Sequence, residues 1–475
     1  MVRILERPPP AHVRPLAAII LCALVCSTLA IGFGALGTLT YAESFKTIGG
    51  LTLQHLRPLH TTFAVAWIYI AGVAVVYCFL FSQPLKSTRA LRVRLKIQLV
   101  LWGLAGAGVL ISLCRGVFSG REYMGAHWVW SVLIYVGWIL FTWNFFSVVG
   151  FNLKGRPVFI YMWFTSLLLF LWTFAEGHGW LLALVSDYPL RDIAVQWKSY
   201  GVMVGSFNLL VYGSLGYLGC CIAGNMRYAH SNTAFALFFL GVVNSFTNFG
   251  HHTYHLPQSH VVKWISCIAS LAEAVIALKY LLDLSALVRA RRSGSGNRAV
   301  SFIVAMTMLW SFIIVASAVV ISVPPVNTLI HGTHFVMAHA MGAMLGIDSM
   351  ALWAVLLFMI QGMLPAGHRL TRRLPIVIVF GFVNVAIFLL VCVLSTKGMI
   401  NGYLRYMGPA APGAPRFLTL FPPVFMTLGA ALSLGILHIN TSWIVAIIPL
   451  LRKPRPSPAA STLEAPRASK DQAAD

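Results

Sequence analysis

About twelve stretches of roughly 20 apolar residues divide this sequence, and a run of that length is what an α-helix needs to cross the hydrocarbon of a bilayer. They fall near 15–36, 55–80, 97–117, 129–150, 158–178, 200–224, 232–252, 263–284, 300–321, 330–360, 374–396 and 418–450. A backbone in lipid must satisfy its own polar groups, so repeated apolar runs of this length leave helices as the spanning structure. The expected fold is therefore all-α: a polytopic membrane protein of about twelve transmembrane helices. Residues 1–452 form one transmembrane domain, and residues 453–475 (Pro/Ala/Ser-rich and charged) form a disordered cytoplasmic tail. No small-residue cleavage signal follows the first span, which is read as retained.

Charge supports the same reading. Only 10% of the residues are charged, against about 25% in soluble domains, and mean hydropathy is +0.81. The net charge of +22 fits basic loops and anionic lipid head groups, not nucleic acid. Lys86 to Lys96, Lys154 and Arg156, Arg227, Arg289 to Arg298, Arg369 to Arg373 and Arg452 to Arg455 follow every second span. The positive-inside rule then places both termini in the cytoplasm. The eight cysteines show no CxxC, CxxCH or zinc spacing, so covalent c-type heme is not expected in this chain.

Within this apolar frame, histidines stand out, because an ionisable group in hydrocarbon is costly and usually functional. The segment from Leu329 to Gly346 carries His331, His334 and His339, with Met341 two residues after His339. Two residues on a helix are about 200° apart, so His339 and Met341 point to opposite sides and one helix can serve two cofactors. Partners lie elsewhere: His60 in LRPLHTTF, and His251-His252 in NFGHHTYH. The expected topology brings His60, His251, His252, His339 and Met341 to the outer third of the membrane. Imidazole and methionine are common axial ligands of heme iron. His60 and Met341 can clamp a low-spin heme, His339 can hold a second, and the His251-His252 pair suits copper or iron. Glu273 lies in mid-span and reads as a proton donor or relay. His331 and His334 read as interfacial residues near heme carboxylates, His127 and His178 as interfacial, and His255 and His260 as solvated.

With these residues the chain resembles the catalytic subunit of the heme–copper oxidase superfamily, nearest the nitric oxide reductases and the C-family oxygen reductases. The resemblance spans LRPLHT, GREY at Gly120–Tyr123, DIAVQW at Asp192–Trp197, GHHTY at Gly250–Tyr254 and HGTHFVMAH at His331–His339. It implies His60 as a low-spin heme ligand, His339 as the high-spin heme ligand, and His251 and His252 on a non-heme metal. It also implies Arg57 at a heme carboxylate and calcium near Glu122. Cofactors would be two hemes, of b type, with one non-heme iron or copper. An electron-donating subunit or carrier, a c-type cytochrome or cupredoxin-like protein, would dock on the outer side of a bacterial inner (cytoplasmic) membrane.

Four departures from the family pattern shape the expected function. Met341 stands where the second low-spin ligand is histidine. Gly201 stands at the third non-heme-metal histidine, with Tyr200 beside it. Ser245 replaces a tyrosine that oxygen reductases of this branch use to split O–O. Glu273 matches a glutamate kept by nitric oxide reductases, while Gly205 replaces another. Together they favour a divergent enzyme reducing nitric oxide to nitrous oxide. A terminal oxygen reductase, and a heme-binding gas sensor or electron carrier that has lost the second metal, remain the alternatives. A transporter built on inverted repeats is disfavoured, because no repeat and no mid-membrane Gly/Pro pair is visible.

Overall fold

The computed structural model describes residues 10–42, 45–83, 88–121, 123–254, 256–290, 298–365, 368–371, 373–410, 413 and 415–452. Glu122, His255 and the segment 453–475 lie outside the described residues. Among those described, twelve helical segments are long and apolar enough to cross a membrane, and no extended strand forms. In chain order the helices are α1 (Pro10–Leu39), α2 (Leu53–Ser82), α3 (Thr88–Cys114), α4 (Trp128–Val149), α5 (Val158–Glu176) and the single turn α6 (Ala183–Ser186). They continue with α7 (Pro189–Ala223), α8 (Asn232–Thr247), α9 (His260–Ala290), α10 (Arg298–Ser322) and the short α11 (Pro324–Ile330). The last four are α12 (His334–Met341), α13 (Met350–Met363), α14 (Arg373–Met407) and α15 (Arg416–Ile447).

Two spans are less uniform than their apolar runs suggest. The seventh ends as α-helix at Thr247 and tightens into a 3₁₀ segment, Asn248–Thr253, that carries the histidine pair. The tenth begins after a turn at His331–Thr333, where Gly332 adopts φ +68, and runs as α12 to Met341. It then widens into a π-helical stretch, Gly342–Ser349, before α13. The Ser349 hydroxyl donates to the Met344 carbonyl at 2.7 Å, five residues back, in keeping with that wider turn. π-Helical turns are rare and cluster at functional sites.

This tenth span is the axis of the bundle. Met350 to Leu357 are buried without a break, enclosed by α2, α7, α10 and α14. Lipid tails are as apolar as leucine, so helices in a membrane join by close packing and polar contacts. Gly342 and Gly346 give the space that Ile314 and Trp310 of α10 occupy. Asn440 of α15 donates to Ser27 and Thr28 of α1, at 3.0 and 3.2 Å. At the end where the basic loops cluster, Asn144 of α4 donates to Tyr77 of α2 at 2.8 Å, and Tyr77 donates to Gln98 of α3 at 2.6 Å.

Candidate functional site

The side of α12 that carries Met341 faces α1 and α2. A pocket opens there, lined by His60, Met341, Trp67, Met344, Trp353 and Ile436 among others. His60 Nδ1 lies 2.8 Å from the Ala30 carbonyl. A carbonyl can only accept, so Nδ1 carries the hydrogen and Nε2 keeps the lone pair that binds a metal. The ring rests on Gly34 of α1; a Cβ there would come within 2.7 Å of His60 Nδ1. The buried Trp353 indole N–H has no hydrogen-bond partner. An oriented imidazole and a thioether on its walls, with an orphan donor beside them, fit a His/Met-ligated heme.

His339 belongs to the other side. Its Nδ1 lies 2.8 Å from Ser317 Oγ on α10, and that hydroxyl donates to the Ile314 carbonyl at 3.0 Å. Such a relay fixes the tautomer with Nε2 as the ligating nitrogen, which is how outer partners orient metal-bound histidines. His339 fits a second heme on that basis. The His251 and His252 rings sit 4.3 Å apart, and both are close enough to His331 and His339 to interact electrostatically. His252 stacks flat on Trp197 of α7, with centroids 5.2 Å apart and planes 5° apart. The His251 Nδ1 is buried without a partner.

The third ligand position is different. Gly201 is buried in α7 and offers no donor atom. The phenol of neighbouring Tyr200 accepts a hydrogen bond from Gln196 at 2.9 Å and is turned toward the outer polar cluster. Among the described residues, no group of three His, Cys, Asp or Glu side chains is placed to hold a metal ion. Among the described residues the site thus offers two imidazoles and falls short of a three-residue set.

Ser245 and Gly205, two of the departure positions, meet each other. A Cβ on Gly205 would collide with Ser245 Oγ, and that hydroxyl donates to the Gly241 carbonyl at 2.7 Å. α7 and α8 have closed into the space that larger residues at these positions would need. Glu273 of α9 accepts a hydrogen bond from Asn244 of α8, which is held in turn by Ser270 at 3.4 Å. Its electrostatic link runs to Tyr212 of α7, and it is not among the groups that interact with the histidine pair.

The outer-side motifs also converge. Arg121 of GREY pairs with Asp192 of DIAVQW at 2.8 Å and donates to Gln196 at 2.9 Å. Nearby, Lys198 pairs with Glu176 at 2.5 Å. Arg57 is exposed, one turn outward of His60, with Tyr41 as an electrostatic neighbour. His334 packs edge-on to Phe421, and the His331 carbonyl accepts from Arg405 at 3.1 Å. His178 donates to the Phe174 carbonyl at 2.7 Å, and His127 caps α4.

Sequence reasoning missed two residues. Ser317 gave no signal, since serine in an apolar span is common. Asp348 gave a plain one: it is a carboxylate in mid-span, and it is only 3% exposed.

A twelve-span helical membrane protein with His60 of α2 facing the Met341 side of α12, and His339 oriented on the other side, has the arrangement of a membrane heme oxidoreductase. Comparison with known proteins agrees. The sequence model described as cytochrome c and quinol oxidase polypeptide I matches residues 14–432, so the chain belongs to that family. The family consists of respiratory membrane oxidoreductases that bind hemes and a second metal. A solved heme–copper terminal oxidase dimer shares the fold at a TM-score of 0.70 and 16% identity, over 93% of this chain and 84% of the other. No curated protein matches the sequence.

Proposed function

We propose that this chain is the catalytic subunit of an enzyme of the bacterial inner membrane that reduces nitric oxide to nitrous oxide. Electrons would enter from a c-type cytochrome or cupredoxin-like partner on the outer side, by way of the His60/Met341 heme. Two NO, two electrons and two protons give N2O and water.

The observation that carries this reading is position 245. Ser245 spends its hydroxyl on its own helix and packs against Gly205, so no phenol stands one to two turns before the histidine pair. The Tyr254 phenol, just past the pair, donates to the Ser322 carbonyl at 2.8 Å, and the Tyr200 phenol accepts from Gln196 at 2.9 Å. Cleaving O–O needs a proton and an electron from a nearby group. Joining two NO molecules needs neither from the protein, only two reactants held close together.

When bound, the high-spin heme would supply an iron that takes a gas and passes it electrons. This chain's residues set the conditions around it. Ser317 orients His339, and Trp197 stacks flat on His252 and fixes its plane. Glu273, with one oxygen bound to Asn244, keeps the other to take up or release a proton.

The test is a gas-electrode assay of the purified, reduced protein with each gas in turn. Consumption of NO with release of N2O, and slow or absent O2 consumption, is the expected result. Rapid O2 reduction with no NO turnover would make the chain an oxygen reductase. Bound heme with neither activity would make it a sensor or carrier.

A further inference from the structure

The end of the bundle that carries the basic loops holds a cation fixed in place with no counter-charge. Arg94 lies about 9 Å into α3 at 1.5 Å per residue, near the boundary between hydrocarbon and head groups. One edge of its guanidinium is held by α4. Nε donates to Asn144 Oδ1 at 2.6 Å and Nη2 donates to Ser147 Oγ at 3.3 Å. The group lies over the Trp143 ring, 5.0 Å from its centroid. The Asn144 amide is itself locked, because its Nδ2 donates to the Tyr77 hydroxyl at 2.8 Å and to the Leu91 carbonyl at 3.4 Å. Tyr77 passes its own hydrogen to Gln98 at 2.6 Å. Asn144, Tyr77 and Gln98 are all fully buried. This line of donors starts at Arg94 and runs inward, so the guanidinium is oriented before any ligand arrives. Its Nη1 edge has no hydrogen-bond partner among the described residues.

No described carboxylate reaches Arg94 either. Glu176 pairs with Lys198 and Asp192 with Arg121 at the outer end, and Asp283, at the end of Arg94, pairs with Lys279. Asp187 lies on the outer loop, and Glu273 and Asp348 lie in mid-span. Arg89, Arg92 and Lys96 add further positive charge on α3. The balancing anion must come from beyond the described residues.

Further into the membrane from Arg94, the outward faces of the two helices are apolar. Val100 and Leu104 of α3 and Val136 and Ile139 of α4 are exposed. Gly103, about one turn past Val100, is exposed as well, and a Cβ there would meet nothing within 4 Å. α3 is therefore indented at that level. Trp143 is exposed beside Arg94, at the depth where indoles anchor membrane proteins. Apolar exposure alone is ordinary on a membrane helix. What sets this cleft apart is an oriented cation at phosphate depth with an indentation further in.

We propose that the cleft between α3 and α4 binds one anionic phospholipid, with its phosphate on the Nη1 edge of Arg94 and an acyl chain along Val100 and Gly103. A guanidinium offers paired N–H groups that match phosphate oxygens, and an oriented one loses little freedom on binding. The surrounding Arg89, Arg92 and Lys96 favour a head group without an ammonium of its own. None of the candidate heme or metal residues takes part, so the site stands apart from the identity of the gas.

The experiment is native mass spectrometry of the purified, heme-loaded full chain. The protein is delipidated and titrated with phosphatidylglycerol, phosphatidylcholine or inorganic phosphate. One phosphatidylglycerol should bind per chain, phosphatidylcholine at least about tenfold more weakly, and phosphate alone not at all. Arg94→Gln should weaken phosphatidylglycerol at least about tenfold, through loss of a charge-assisted hydrogen bond. Gly103→Phe has open space to enter and should weaken it at least about threefold, through lost acyl contact. Lys154→Gln, at an exposed loop cation of the same end, should leave binding unchanged. Undiminished phosphatidylglycerol binding in Arg94→Gln overturns the proposal, as does equal affinity for the two lipids. Phosphate bound without lipid overturns it too, and makes the cleft an ion site. If Arg94→Gln fails to fold, Gly103→Phe decides, and unchanged affinity there overturns it.

Discussion

The two sides of α12 are built to different degrees. On the α1–α2 side lie a pocket, an imidazole whose tautomer a carbonyl dictates, a thioether, and a glycine on which the imidazole rests. On the α7–α8 side, His339 is equally well oriented, but the surroundings are pared down. Gly201 gives no third ligand, Ser245 no phenol and Gly205 no carboxylate. The contrast shows which half of the machinery the packing preserves. The first side rests on the close packing of α1 against α2, which the bundle needs anyway. The second-metal region rests on side chains that can shrink, with the helices closing up behind them.

Substitutions on each side can break or sharpen this contrast. The largest effect should come from Gly34→Val. Even a Cβ at this position crowds the His60 ring at 2.7 Å, so a branched side chain should displace it and abolish the low-spin heme. Pyridine hemochrome analysis checks this, and full heme occupancy would show that the cradle does not matter. Next is Ser317→Ala, which strips His339 Nδ1 of its partner. Loss of such an outer contact costs about 10- to 100-fold in affinity or activity, and competition with apo-myoglobin for heme measures it.

Met341→His should leave the heme in place and lower its potential by a fraction of the roughly 0.8 V that axial ligands span. Potentiometric titration reads the shift, and an unchanged potential would mean that Met341 is not a ligand. The smallest effect belongs to Ser245→Ala. That hydroxyl serves only its own helix, so stability should change by about 1 kcal/mol or less, with turnover near normal. A large loss of activity in that variant would give Ser245 a role in the chemistry and remove the argument from position 245.

Much of this was legible in the sequence because hydropathy and residue chemistry report burial directly. The twelve spans follow from apolar runs, and His60, His339 and Met341 follow from polar or metal-binding groups set in them. Hydropathy cannot tell an α from a π turn, so the widening at Gly342–Ser349 was invisible. Periodicity cannot bring separate loops together either. GREY and DIAVQW were each visible, but the Arg121–Asp192 pair joining them was not. Ser317 carries its meaning only in the company of His339. Asp348 was within reach, since the rule that singled out Glu273, an acid in mid-span, applies equally to it.

The central claim is that one helix serves two cofactors on opposite sides. Heme content and optical spectra of the wild type and His339→Ala test it most directly. The account predicts two hemes per chain in the wild type. In the variant it predicts one, low-spin, with the His60/Met341 signature intact and no gas turnover. A His339→Ala protein that keeps both hemes, or loses the low-spin heme and keeps the high-spin one, would contradict it.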